Sequence, residues 1–424
     1  MRTLVSELAS RLGQEVTLQG WVHRIRELGK ISFILLRDRS GIAQLVLEGR
    51  VEFPVESVIC ATGAAAANPK APGGVEVQVR EVRLLAQAAA DLPLPVNQDP
   101  GKLSLDAILE HRLVSLRNPR ILSIFRVQST ILKHFAQHLR SEGFTEIKTS
   151  KLIGTGTEGG TGLFTVKYFD GKVYLAQSPQ FYKQAMVTAG LERVFEIGQA
   201  YRAEKHETPR HLNEYVSLDV EMAFIDNERE LMDLECRILK SIFQGVGAEN
   251  RAELEAYGVS LPEPEAVDRI PRISHDEAKQ ILCSRGARRV FEINPEGERG
   301  LCAWAREKHG VEAVFVSGFP RKKRPFYAYP LGDHSTMSFD LLFRGLEITT
   351  GGRRINELPM LLESIERFGL DPKSLSDYLQ IFKYGSPPHG GFAIGLERLT
   401  QKILGLANVK EASLFPRDRN RVRP

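Results

Sequence analysis

Short runs of alternating apolar and polar residues fill the N-terminal part of the chain. From Val16 to Leu85 they comprise Val16, Leu18 and Val22; Ile31 to Leu36; Ile42 to Leu47; and Val75, Val77, Val79, Val82 and Leu84. Gly29, Gly41 and Gly73-Gly74 punctuate them, which predicts a meander of about five strands over residues 1–88. The run A-Q-A-A-A-D-L-P-L-P-V-N-Q-D-P-G at 86–101 is rich in Ala and Pro and predicts a linker, placed at 89–105. Beyond it the period becomes helical. Ile121, Ile124, Phe125, Ile131, Leu132, Phe135 and Leu139 predict a helix over 121–142 with Gly143 as its stop, followed by a strand T-E-I-K-T-S. Two further strands are expected. Val194 to Glu204 puts Glu196, Gly198, Ala200, Arg202 and Glu204 on one face, and Tyr215 to Phe224 puts Ser217, Asp219 and Glu221 there. Its apolar side is Val216, Leu218, Val220, Met222 and Phe224. The run H-G-G-F-A-I-G-L-E-R-L at 389–399 reads as a glycine-interrupted strand leading into a helix whose apolar side carries Leu399, Ile403 and Leu404. Residues 245–272 show only weak patterning.

The N-terminal meander fits an OB-fold, and a sheet sandwich fits almost as well. Five basic residues, Arg24, Arg26, Lys30, Arg37 and Arg39, surround Phe33 against only Glu27 and Asp38, a setting that suits base stacking. The two later strands present a charged surface of Arg202, Glu204, Asp219 and Glu221; alone, each would be an ordinary solvated face.

Composition adds bounds. With 424 residues, 42% hydrophobic and 26% charged, the chain is globular and long enough for two or three domains. A net charge of +4 suits a nucleic-acid partner without requiring one. Cys60, Cys236, Cys283 and Cys302 have neither zinc-ligand nor disulfide-framework spacing, so a reducing cytoplasm is expected. No export signal or membrane span is evident.

The segment Y-R-A-E with its loop K-H-E-T-P-R-H-L-N-E, together with 389–399, resembles motifs two and three of the class II aminoacyl-tRNA synthetases. Further segments narrow the likeness to aspartyl-tRNA synthetases of the compact archaeal type. These are A-Q-S-P-Q-F-Y-K-Q at 176–184, T-E-G-G-T-G-L-F at 157–164, F-D-L-L-F-R-G-L-E-I at 339–348 and L-F-P-R-D-R at 414–419. The resemblance implies an α+β chain: an N-terminal OB-fold β-barrel and, over 106–424, a class II catalytic domain built on an antiparallel sheet flanked by helices. It also implies a homodimer, with the helix at 121–142 in motif one, although Ser150 stands where the family usually has proline.

What the resemblance assigns can be stated residue by residue. ATP would be bound by Arg202, Glu204, Arg210, His211, Leu212, Tyr215, Glu347, Gly395 and Arg398, of which Arg202, Glu347 and Arg398 are the catalytic set. Arg202 would hold the α-phosphate, Glu204 the adenine amino group, Tyr215 and Arg398 the ring, and Arg210 and His211 the outer phosphates. Mg²⁺ would rest on Asp340, Glu347 and Thr350, where serine is frequent in the family; the two acids flank a probable turn at Arg344-Gly345. L-aspartate would meet Glu158, Ser178, Gln180, Lys183, Arg202, Thr350 and Arg354. Two cations, Lys183 and Arg354, would favour an anionic side chain, and roughly 1.5–3 kcal/mol per charge-assisted bond predicts about 10²- to 10⁴-fold rejection of asparagine.

The barrel would read the anticodon through Arg26, Phe33, Gln44 and Glu76, with His23 and Pro72 as specificity positions. Relatives restricted to tRNA-Asp tend to have tryptophan and lysine at those two places. This chain is similar instead to relatives that charge both tRNA-Asp and tRNA-Asn, whose products feed an amidotransferase. A discriminating enzyme for tRNA-Asp alone is the alternative. A tRNA-independent asparagine synthetase would lack the barrel, and a non-catalytic relative would be expected to lose catalytic residues.

Overall fold

The computed structural model describes residues 1–156, 162–205, 207–287 and 292–424. Two compact units emerge, Met1–Asn118 and Pro119–Pro424.

In the first unit, β1 (Glu15–Leu28), β2 (Ile31–Asp38), β3 (Gly41–Glu48), β4 (Val58–Ala67) and β5 (Val75–Ala86) close into a barrel of order β1-β2-β3-β5-β4. Closure settles the choice between barrel and sandwich. Leu18, Ile34, Leu36, Leu45, Ile59 and Val77 fill its interior with no exposed surface. Strand β4 went unnoticed in the sequence because V-I-C-A-T-G-A-A-A-A is poor in strong strand formers. Its inward positions Ile59, Ala61 and Ala65 nevertheless follow the two-residue period. Within the expected linker, Leu94 and Val96 are buried, and the Asn118 side-chain amide donates to the carbonyls of Val96 and Gln98.

The second unit is a sheet whose strands follow the order β9-β10-β11-β12-β13-β8-β7-β6. In chain order they are β6 (Thr145–Glu146), β7 (Arg193–Tyr201), β8 (Glu214–Ala223), β9 (Arg272–Ser274), β10 (Ala313–Ser317), β11 (Ser338–Phe343), β12 (Leu346–Arg354) and β13 (His389–Gly395). All neighbours pair antiparallel except β6 with β7 and β9 with β10 at the two ends. Helix α1 (Pro119–Ser141) matches the expected element, and Gly143 beyond it has φ +81°, where a side chain would be strained. Helix α2 (Gln180–Met186) precedes β7, and the apolar faces of α1 and α3 (Arg229–Glu249) bury Phe195, Leu218, Val220 and Met222 against them.

Three expectations need correction. The strand expected over 145–150 pairs only at Thr145–Glu146. The strand expected to reach Glu204 ends at Tyr201, so Arg202 and Glu204 belong to a loop, where the Arg202 N–H donates to Asn213 O at 2.8 Å. Phe224 lies past the end of β8 at φ +60° and is 69% exposed rather than part of the apolar face. The weakly patterned stretch 245–272 contains the end of α3, a short helix Arg251–Tyr257 and a 3-10 turn Pro264–Arg269.

Glu235 lies in the middle of α3 with no exposed surface, accepting the Thr349 hydroxyl at 2.6 Å. Burial pushes its carboxyl from 4.5 up to about 8. An acid whose folded pKa is raised keeps its proton while the unfolded chain loses one, so stability falls as pH rises from about 4.5 towards 8. Glu235→Gln, which mimics the neutral acid, is expected to remove that slope. Relative to wild type it should gain on the order of 2 kcal/mol between pH 5.5 and pH 8, read from urea midpoints.

Candidate active site

The sheet's strand order places the β7–β8 loop beside β12 and the junction of β13 with α5 (Leu396–Leu404). One cavity there is lined by all nine residues assigned to ATP. Helix α5 reaches it because Leu399, Ile403 and Leu404 are buried as expected, leaving Arg398 on the opposite side. Arg398 Nη1 donates to Glu347 O at 3.0 Å and to Glu347 Oε1 at 3.3 Å, while its Nε donates to Arg210 O at 3.3 Å. The Arg202 guanidinium stands 5.8 Å from the Tyr215 ring centroid. His211 shares a 2.6 Å hydrogen bond with Thr208. Burial, then the Arg398 charge, lowers its pKa, so the ring is neutral at physiological pH and contributes as a hydrogen-bonding group.

Two acids in this region escaped the sequence reading. Glu397 carboxylate oxygens accept the Val216 N–H at 3.1 Å, tying α5 to β8, and burial pushes the group up to about 8. Its neighbour in L-E-R-L drew attention for its charge, whereas Glu397 offered no separate signal. Glu298, distant in sequence, accepts two bonds from Arg210.

The β11–β12 turn is as expected: Arg344 and Gly345 both have positive φ, +48° and +77°. The register sets Asp340 opposite Thr350, and Thr350 Oγ1 donates to Glu347 Oε1 at 3.3 Å. Asp340 Oδ2 accepts from Arg324 at 2.7 Å, a partner the sequence did not suggest. Its Oδ1 is buried without a hydrogen bond among the described residues. Burial drives the Asp340 carboxyl up to about 6, against the pull of Arg324. Glu347 is held below the usual carboxylate range, because Arg398, Arg324, Arg210 and Arg202 together outweigh its burial. An orphaned carboxylate oxygen, a second acid and a hydroxyl fit a hard divalent cation that completes its shell with phosphate oxygens and water. Among the described residues no cluster of three or more His, Cys, Asp or Glu forms an all-protein metal cage.

The amino-acid pocket corrects the charge argument. Lys183 is buried, 3.0 Å from Asp219 Oδ1 and 3.2 Å from Glu221 Oε2. Arg354 Nε donates to Glu221 Oε1 at 3.0 Å and its Nη2 to Gly391 O at 2.9 Å. Two buried acids thus balance the two cations, and the face expected to carry a charged surface at Asp219 and Glu221 lies 2% and 0% exposed. The cluster therefore offers placed donors rather than excess positive charge. Gln180 lies in the same cluster, its Oε1 3.5 Å from Arg354 Nη2 and its buried Nε2 unpartnered among the described residues. Ser178 Oγ accepts the Gln180 N–H at 3.2 Å. Glu158 lies outside the described residues. In β13 a Cβ on Gly391 would sit 2.0 Å from Val220 O and 2.2 Å from Glu221 Oε2, so this glycine makes room for a neighbouring strand and the buried acid.

Residues 104–419 match the family of class II tRNA synthetases (D, K and N), and residues 16–85 match the OB-fold nucleic acid binding domain. The chain is a class II aminoacyl-tRNA synthetase. It is 48% identical to the aspartate–tRNA(Asp/Asn) ligase of Thermus thermophilus, covering 100% of both chains. It is 41% identical to the aspartate–tRNA(Asp) ligase of Pyrococcus abyssi over 99% of this chain and 98% of the relative. The asparaginyl-tRNA synthetase of Pyrococcus horikoshii, solved with asparaginyl-adenylate, superposes with a TM-score of 0.93 at 31% identity over the whole of both chains. Among the described residues of this synthetase no helix is long and apolar enough to cross a membrane.

The synthetase's barrel brings together four of its six expected anticodon residues. Register carries one outer face from Arg26 to Phe33 and Val46, and from Leu35 to Gln44 and Glu76. Phe33 is half-buried, while Glu76 accepts from Gln44, Asn68 and Gln78 at 2.6–2.8 Å. Pro72 is exposed. His23, the other expected specificity position, is buried. A register shift between Val22 and Arg24 makes it the extra residue of a bulge and turns it inward, where Arg37 Nη1 lies 3.1 Å from its Nδ1 and Arg37 also pairs with Glu56. Burial and then Arg37 lower its pKa, leaving the ring neutral. Any influence of His23 on specificity must pass through Arg37 or the barrel wall.

Proposed function

We propose that this synthetase activates L-aspartate with ATP and transfers it to both tRNA-Asp and tRNA-Asn. The observation that carries the reading is the single cavity holding every residue assigned to ATP. In the first step an aspartate α-carboxylate oxygen attacks the α-phosphorus, and the bond to the bridging oxygen breaks to release pyrophosphate. The carboxylate is already ionised, so no side-chain base is required. Alignment can lower the barrier by roughly 7–11 kcal/mol. Arg202 holds the α-phosphate as charge develops, Arg210 and His211 hold the leaving pyrophosphate, and Glu204, Tyr215 and Arg398 fix the adenine. Asp340, Glu347 and Thr350 would hold Mg²⁺, which supplies charge neutralisation on the phosphates. Lys183, Arg354, Gln180 and Ser178 orient the amino acid. In the second step the terminal adenosine 3′-hydroxyl attacks the aspartyl carbonyl, and AMP departs.

Acceptance of both tRNAs is supported by full-length identities of 48% and 46% to aspartate–tRNA(Asp/Asn) ligases. Aspartyl-tRNA-Asn made this way requires a partner amidotransferase to reach asparaginyl-tRNA. A cytoplasmic homodimer is the proposed working form. Reading one base is worth roughly 1–3 kcal/mol by analogy with DNA mismatches, so loss of one or two contacts suffices to erase a preference between C and U. Two transcripts differing only in a GUC or GUU anticodon are expected to be charged with kcat/KM values within tenfold of each other. A preference of 100-fold or more for GUC would establish the discriminating alternative.

A further inference from the structure

We propose that Glu298 is a positioning residue for the nucleotide, holding the phosphate-binding arginine and the backbone of Glu347 in a single arrangement. The inference rests on the reading of the cavity as the ATP site. Glu298 stands in the first turn of α4 (Pro295–His309), which Asn294 caps by accepting the Gly297 N–H at 2.9 Å. Its side chain is 7% exposed. Oε1 and Oε2 accept from Arg210 Nη2 at 2.7 and 2.8 Å, and Oε2 also accepts the Glu347 N–H at 3.0 Å. One buried carboxylate thus joins the two sides of the cavity, the β7–β8 loop and the start of β12.

Both bonds to Arg210 use the same nitrogen, so among the described residues Nε and Nη1 remain available to an anion in the cavity that Arg210 lines. A long, flexible arginine held at one end loses less conformational freedom when phosphate binds at the other. The helix supplying Glu298 is itself seated. A Cβ on Gly345 would meet Arg299 Cγ at 2.7 Å, so α4 rests directly on the β11–β12 turn next to Glu347.

Aspartate-dependent ATP–pyrophosphate exchange tests this in the full-length protein. E298Q is expected to raise KM for ATP about tenfold while KM for aspartate stays within twofold. In an R210A background, where Glu298 has no arginine to hold, E298Q should add less than threefold. If E298Q fails to fold, E298D keeps the charge, shortens the reach and should show the same selective rise. Exchange present in wild type but unmoved by the folded variant, or full tenfold effects that multiply in the double variant, would remove the role of Glu298. Exchange absent from wild type would remove the reading of the cavity itself.

Discussion

Arg354→Met is expected to lower unfolding free energy by roughly 3–5 kcal/mol and to abolish aspartate-dependent exchange. The stability loss follows from arithmetic of buried charge. Arg354 and Lys183 face Asp219 and Glu221 in a pocket where none of the four is more than 7% exposed. Removing one cation leaves an uncompensated buried anion, which is far costlier than losing both members of a pair. A compensating change separates fold from function. E221Q added to R354M restores neutrality and should recover about half of the lost stability, yet exchange should stay absent because the guanidinium proposed to meet the substrate is gone. Burial alone would raise the Glu221 pKa, but Arg354 and then Lys183 hold it below the usual carboxylate range. Its depressed pKa contributes stability present above about pH 4.5 and lost on further acidification. Without Arg354 that depression weakens, so the deficit should hold from neutral pH down to about pH 4.5 and shrink on further acidification. Urea midpoints across pH 3–7.5 check this, and a deficit that grows on acidification would refute the ion-pair account.

Arg398→Ala should cost about 10²- to 10³-fold in kcat/KM for ATP while the protein stays folded. Arg398 touches three groups that define the cavity: the Glu347 carbonyl, the Glu347 carboxylate and the Arg210 carbonyl. Its side chain is 23% exposed, so the stability change should be small. Losing the planar cation removes both ring packing and charge, and lysine cannot reproduce the fork, so R398K should recover less than a tenth of the lost activity. Steady-state exchange at varied ATP and varied aspartate separates the two substrates. An equal rise in both KM values would point instead to collapse of the shared wall.

Periodicity alone determined much of this protein. The strands of the barrel, the helix ending before Gly143, the hairpin of β7 and β8 and the apolar side of α5 are all recorded in neighbouring residues, because an element buried against one layer must repeat at 2 or 3.6 positions. Motif residues were legible only through the resemblance to class II synthetases, which supplied their roles, and the fold gathers the nine assigned to ATP around one cavity. Strand β4 was missed because alanines can fill a tight barrel interior without resembling a strand. His23 faces inward because a one-residue bulge reverses the direction that alternation assigns. The charges were decided only by the tertiary structure. β8 lies next to β13 and β13 next to β12, so Glu221 meets Arg354 133 residues away, while Arg210 meets Glu298 across 88. Periodicity shows which face a carboxylate occupies; its partner, and therefore its protonation and role, depends on which distant strand or helix the fold lays against that face.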